Sequence, residues 1–185
     1  MVLSGMKKLL LIFAAMVGLM TDNAEALQQD KENILYLDLD VAENARVVIA
    51  MRPDKAPNHV ARVKELVREG FYDGTIFHRV IPGFMAQGGD PKGTGLGGSG
   101  QNIDAEFNSL PHLRGTVSMA RAQDVNSADS QFYICLDRSS FLDNDYTVWG
   151  RVIGGMEYVD MIQKGEPPAN PSKIVRMQVA ADVKE

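Results

Sequence analysis

One cysteine stands in the whole sequence, Cys135. A lone cysteine excludes an intramolecular disulfide, so no covalent staple holds the fold and cysteine usage does not report a redox compartment. Its setting, Phe132-Tyr133-Ile134-Cys135-Leu136, reads as a buried strand in which the thiol is a small hydrophobe. Histidine is scarce as well: only His59, His78 and His112 exist, and their spacing singles none out as a partner for a reactive thiol. Also missing are a Gly-x-Ser-x-Gly elbow, a His-Glu-x-x-His pair and a Cys-x-x-Cys pair, which removes three conventional enzyme readings. No metal or cofactor is expected. Positive charge is not in excess either. Nineteen basic residues face 24 acidic ones, a net charge of -5, and a nucleic-acid binder would need a basic face to neutralise phosphates.

Long hydrophobic runs are lacking, with one short exception. Lys7 and Lys8 precede Leu9 to Met20, a run of 12 uncharged and almost wholly apolar residues, and Ala24-Glu25-Ala26 follows. A basic end, a short apolar stretch and an Ala-x-Ala site make a secretory signal peptide. The run falls short of the roughly 20 apolar residues that span a bilayer. The expected organisation is a signal peptide over 1–26, a short segment over 27–33, one domain over 34–181 and a tail over 182–185. After cleavage behind Ala26 no stable membrane insertion is expected, and the location is periplasmic or secreted. Without heptads or a long exposed apolar stripe, the expected state is a monomer.

What is present in the mature part is short-period alternation. Leu35, Leu37, Leu39 and Val41 alternate with Tyr36, Asp38 and Asp40, the period of a half-buried strand. Arg46 to Met51 is a β-branched run, and Asn44 between the two marks a hairpin. The period then changes. Val60, Val63, Leu66 and Val67 share one helical face, with Pro57 suited to the first turn and Gly70 to the end. Further strands are expected over 75–80, 84–87, 115–120, 131–136, 147–152 and 173–181. A short helix carrying Met156, Val159 and Ile162 stops at Gly165, Pro167 and Pro168. Eight short strands with two helices disfavour a parallel βαβ sheet. An antiparallel barrel, which removes exposed edges by closing on itself, uses such strands naturally.

Gly93-Thr94-Gly95-Leu96-Gly97-Gly98 matches the glycine pattern of dinucleotide-binding loops. Neither a strand before it nor a helix after it can be read, and that chemistry needs both. It reads as a loop that lets backbone approach a ligand.

The remaining concentration of chemistry is Phe77-His78-Arg79-Val80-Ile81-Pro82-Gly83-Phe84-Met85-Ala86-Gln87-Gly88-Gly89-Asp90. This segment resembles the signature of the cyclophilin family of peptidyl-prolyl cis/trans isomerases. Two more blocks agree in order and spacing: Gly115 to Ala122, and Ser130 to Cys135. The resemblance covers roughly residues 34–181. It implies a mainly β fold, a closed eight-stranded antiparallel β-barrel capped by two α-helices, with a shallow groove for proline-containing peptides and for unfolded or folding proteins. It also implies Arg79 as the catalytic residue, with Phe84, Met85, Tyr133, Phe141 and Leu142 around the proline ring. Gln87 and Gln131 would orient substrate backbone, helped by main chain at Ala120, Arg121 and Ala122, with Gly93 at the groove wall. Many relatives carry Trp at Phe141 and His at Tyr146, itself a site position, and Asn is common at Arg121. The missing Trp implies weakened cyclosporin binding, and Arg121 predicts a preference for acidic flanking residues. The implied role is folding of exported proteins. The competing reading is a chaperone or adaptor that holds proline segments without turning them over.

Overall fold

The computed structural model describes residues 30–184, so the expected signal peptide lies outside the described residues. Within them the alternation read from the sequence becomes an eight-stranded antiparallel sheet. Strands β1 (Ile34–Leu39) and β2 (Ala45–Met51) form the expected hairpin. There follow α1 (Pro57–Arg68), β3 (Arg79–Ile81), β4 (Met85–Gly88), β5 (Thr116–Met119) and β6 (Phe132–Cys135). The chain continues through a 3-10 turn (Ser140–Leu142), β7 (Val148–Gly154), α2 (Met156–Met161) and β8 (Ile174–Val179), with a second 3-10 turn at Ala180–Asp182.

The strand order is β3-β4-β6-β5-β7-β2-β1-β8. Register shifts at Asp38/Leu39, Val48/Ile49 and Val117/Ser118 bend the sheet, as an unpaired residue raises local twist. The two edges meet without a continuous ladder: isolated bridges link Ile76 to Lys173 and Val80 to Gly165. Closure is therefore looser than the expected full barrel. The expected strand over 75–80 breaks for the same reason. Ile76 bridges to both Asp90 and Lys173, and regular pairing with β4 starts only at Arg79.

The concave side holds the main core. Leu35, Leu37, Val47, Ile49, Val80, Ala86, Val117, Phe132 and Ile134 are sealed there, and Trp149 meets Phe132 edge-on at 6.1 Å. Helix α1 adds Val60, Val63, Leu66 and Val67. Its start has no capping side chain of its own. Glu106 supplies one from afar, accepting from the backbone N–H of Asn58 (3.0 Å) and His59 (2.9 Å), which satisfies donors every helix leaves open. Its end is a Schellman motif, with Gly70 left-handed at φ 70° and Phe71 N–H donating to the Leu66 carbonyl.

Candidate active site

Strand alternation builds the site as the outward counterpart of the core. In β4, Ala86 points into the main core while Met85 points the other way. In β6, Phe132 and Ile134 point in while Tyr133 and Cys135 point out. Met85, Tyr133, Cys135 and Leu142 form a second apolar cluster, joined by the half-buried Ile81, Phe84, Ala120 and Tyr146. Pairing of Arg79 with Gln87, and of Gln87 with Tyr133, lays a cation, an amide and an aromatic ring side by side across three strands.

A cavity of about 120 Å³ opens there, lined by Arg79, Phe84, Met85, Gln87, Ala120, Arg121, Tyr133, Leu142 and Tyr146. A second, of about 340 Å³, adjoins it through Gln87, Ala120 and Arg121 and extends along Gly95 to Gly98, Ala122 and Gln131. The Gln87 amide donates to Gln131 Oε1 at 2.9 Å. Gln131 Nε2 in turn donates to the carbonyls of Gly95 (3.0 Å) and Gly97 (2.8 Å). The glycine loop is itself fixed by Asp90, whose carboxylate accepts from the backbone N–H of Lys92, Thr94, Gly95 and Gly97. Burial pushes the Asp90 pKa up, but these four donors outweigh it and hold it below the ordinary value. The amides that a phosphate would need are thus occupied by the protein's own carboxylate, which removes the dinucleotide reading.

Behind the pocket floor lies a polar cluster around the buried His112 that sequence reasoning missed. His112 Nδ1 sits 3.1 Å from Asp143 Oδ1. His112 Nε2 sits 3.0 Å from Ser118 Oγ and 3.1 Å from Tyr133 Oη. Burial depresses the His112 pKa in spite of the Asp143 carboxylate, so the ring is neutral, donates to Asp143 and accepts from a hydroxyl. Arg138 holds the Asp143 carboxyl far below the usual range, aided by the His112 backbone N–H.

Of the residues expected to form the site, eleven line the two cavities, Ala122 and Gln131 only the larger one. Two do not fit the expectation. Gly93 lines neither cavity; it turns the chain after Asp90 at φ 65°, and a Cβ there would strike Ile76. Phe141 is 70% exposed and lies against Phe84, ring centres 5.3 Å apart, outside the cavity that Leu142 enters. Arg121 is less of a free charge than the sequence implies. Its side chain is 11% exposed, pairs with Asp145 at 2.9 Å, donates to three carbonyls and lies 4.7 Å over the Tyr146 ring. Glu166, 2.6 Å from Arg79 Nε, was not anticipated. It follows Gly165 in a loop that the sequence marks only as a helix stop.

The smaller cavity offers cations, apolar walls and the side-chain amide of Gln87, and no carboxylate, thiol or imidazole among the described residues lines it. Such a set can seat an apolar ring and stabilise redistributed charge on an amide, with no proton to move. That is the chemistry an isomerase of peptide bonds requires. The sequence model of the family described as cyclophilin-type peptidyl-prolyl cis-trans isomerase matches residues 36–179. A probable peptidyl-prolyl cis-trans isomerase of Brucella suis is 47% identical over 84% of this chain and 86% of its own. Peptidyl-prolyl cis-trans isomerase B of Bacillus subtilis is 42% identical over 65% and 85%. Among solved structures, a cyclophilin of Hirschia baltica superposes with a TM-score of 0.77 at 32% identity, covering 84% of this chain and 76% of that one. A Cryptosporidium parvum cyclophilin-type isomerase, crystallised in the presence of the dipeptide Ala-Pro, gives 0.73 at 29%, covering 79% and 98%. The chain belongs to the cyclophilin-type peptidyl-prolyl cis-trans isomerase family, and its activity is that of the family.

Proposed function

We propose that this chain speeds X-Pro rotation during the folding of exported proteins, as a monomer outside the cytoplasm, with Arg79 as its catalytic residue. Uncatalysed rotation passes a barrier of about 20 kcal/mol and takes roughly 10–100 s. No bond breaks; the enzyme has only to bind the twisted amide better than either planar form. As the amide twists, its nitrogen gains a lone pair and charge on the oxygen is redistributed. An always-charged guanidinium with several donors in one plane stabilises that state. The single observation that carries the reading is Arg79 at the mouth of the apolar cavity, its Cζ 6.0 Å from the Phe84 ring centre.

In this reading Phe84, Met85, Tyr133 and Leu142 hold the proline ring. Gln87, Gln131 and main chain at 120–122 meet substrate backbone, with Tyr146 and Phe141 at the rim. The Lys7-Lys8 end, the apolar run and Ala24-Glu25-Ala26 support export with cleavage behind Ala26. The test is the cis-to-trans rate of a short X-Pro peptide with chain 27–185 and with Arg79→Ala. The expected result is acceleration that falls about 100-fold in the variant. Peptide binding without acceleration would replace this reading with a chaperone or adaptor that holds proline segments. A reporter carrying residues 1–26 that stays in the cytoplasm would remove the export role alone.

A further inference from the structure

The Arg79 guanidinium has one recorded hydrogen-bond partner among the described residues: its Nε donates to Glu166 Oε1 at 2.6 Å. Among the described residues neither Nη group has an acceptor, and both lie beside the cavity that Arg79 lines. The carboxylate comes from 87 residues away, yet its delivery is built into the backbone. Val80 and Gly165 exchange two hydrogen bonds, Val80 N–H to the Gly165 carbonyl at 2.8 Å and Gly165 N–H to the Val80 carbonyl at 2.9 Å. Each bridging residue is thus the chain neighbour of one member of the Arg79–Glu166 pair. The loop is tied on both sides of Glu166: Gln163 N–H donates to Ser172 Oγ at 3.1 Å, and Phe77 N–H donates to the Ser172 carbonyl at 3.0 Å. At Gly165 itself φ is 146°, and a Cβ would meet the Pro167 carbonyl and Pro168 Cα.

Resting on the reading of Arg79 as catalytic, we infer that Glu166 is its positioning residue, holding Nε so that the Nη edge stays presented to the bound amide. Both side chains are about half exposed, 43% and 50%, so the pair adds little to stability. Its effect is on orientation. A free arginine spreads over many rotamers, and a donor that has to meet a twisted amide loses rate when it is misplaced.

The experiment measures kcat, KM and melting temperature of the full protein on one X-Pro peptide, for Glu166→Ala, Glu166→Gln, Arg79→Ala and the double variant Arg79→Ala/Glu166→Ala. For Glu166→Ala the expected result is a kcat about 3- to 10-fold lower, with KM and melting temperature near the parental values. Glu166→Gln keeps most of the rate, because its amide oxygen still accepts from Nε. In the Arg79→Ala background, removing Glu166 costs nothing more, since it acts through Arg79. A parental or raised kcat in Glu166→Ala, a loss confined to KM, an equal loss in Glu166→Gln, or an undiminished loss in the Arg79→Ala background each overturns the inference. If Arg79→Ala itself turns over at the parental rate, the reading beneath fails instead.

Discussion

Tyr133 and His112 lie side by side, ring centres 6.1 Å apart and planes 18° from parallel, with Tyr133 Oη 3.1 Å from His112 Nε2. The hydroxyl therefore turns away from the pocket toward a buried imidazole, and the pocket meets only the ring. Tyr133→Phe is expected to keep kcat/KM within about twofold and to cost about 0.5–1.5 kcal/mol, one neutral hydrogen bond. His112→Ala should cost about 3 kcal/mol or more. It strands the Tyr133 and Ser118 hydroxyls and takes a partner from Asp143. Urea unfolding together with peptide kinetics checks both. A Tyr133→Phe enzyme that folds normally but loses most of its activity would show that the hydroxyl reaches substrate.

The three histidines make the fold acid-sensitive. His59, His78 and His112 are all buried, and burial lowers each pKa despite nearby Glu106, Asp90 and Asp143 carboxylates. Below about pH 6.5 the unfolded chain takes up protons that the folded chain refuses, so the histidines' contribution to stability falls with pH from there toward the depressed values and is flat above about pH 7.5. Each histidine contributes at most about 1.4 kcal/mol per pH unit. Urea midpoints from pH 8 to pH 5 should trace this fall, and replacing His78, whose ring nitrogens have no hydrogen-bond partner among the described residues, should flatten it in part. A midpoint constant across that range would contradict the burial argument.

How much of this was legible follows from the range of each interaction. Alternation over Leu35, Leu37 and Leu39 reports a strand because a pleat buries every second residue, and the structure seals those three. The Phe77 to Asp90 segment was legible as a concentration of chemistry because Arg79, Met85 and Gln87 sit on adjacent strands joined by the short turn that carries Phe84. Glu166 and His112 were not, because their partners are fixed only once distant strands pair. Gly93 was misplaced for a related reason. A glycine needed for packing against Ile76 reads the same as one needed to admit a ligand.

Asp90 fixes the glycine loop by accepting four backbone N–H groups, three of them on one oxygen. Asp90→Asn removes the charge and can turn an amide donor against those donors. The expected loss is about 2 kcal/mol or more, with faster hydrogen exchange at Gly95 and Gly97. Because Gln131 is anchored on the carbonyls of those same two residues, kcat/KM should fall several-fold with it. Unchanged exchange at Gly95 would mean that the loop is held by something other than Asp90.

Arg121 decides whether the groove discriminates by charge. Its position alone predicts a preference for acidic residues flanking the proline. In the structure Asp145 Oδ1 and the carbonyls of Asp145, Ala122 and Gln123 surround the guanidinium. A paired cation at 11% exposure has little field left for a substrate, because the carboxylate cancels most of it beyond a few ångströms. Peptides with Glu, Ala or Lys beside the X-Pro bond should therefore turn over within about threefold of one another. Asp145→Asn uncovers the charge and should shift the order toward Glu, most visibly at low salt. A strong preference for Glu in the unmodified protein would show that Arg121 leaves Asp145 when substrate arrives.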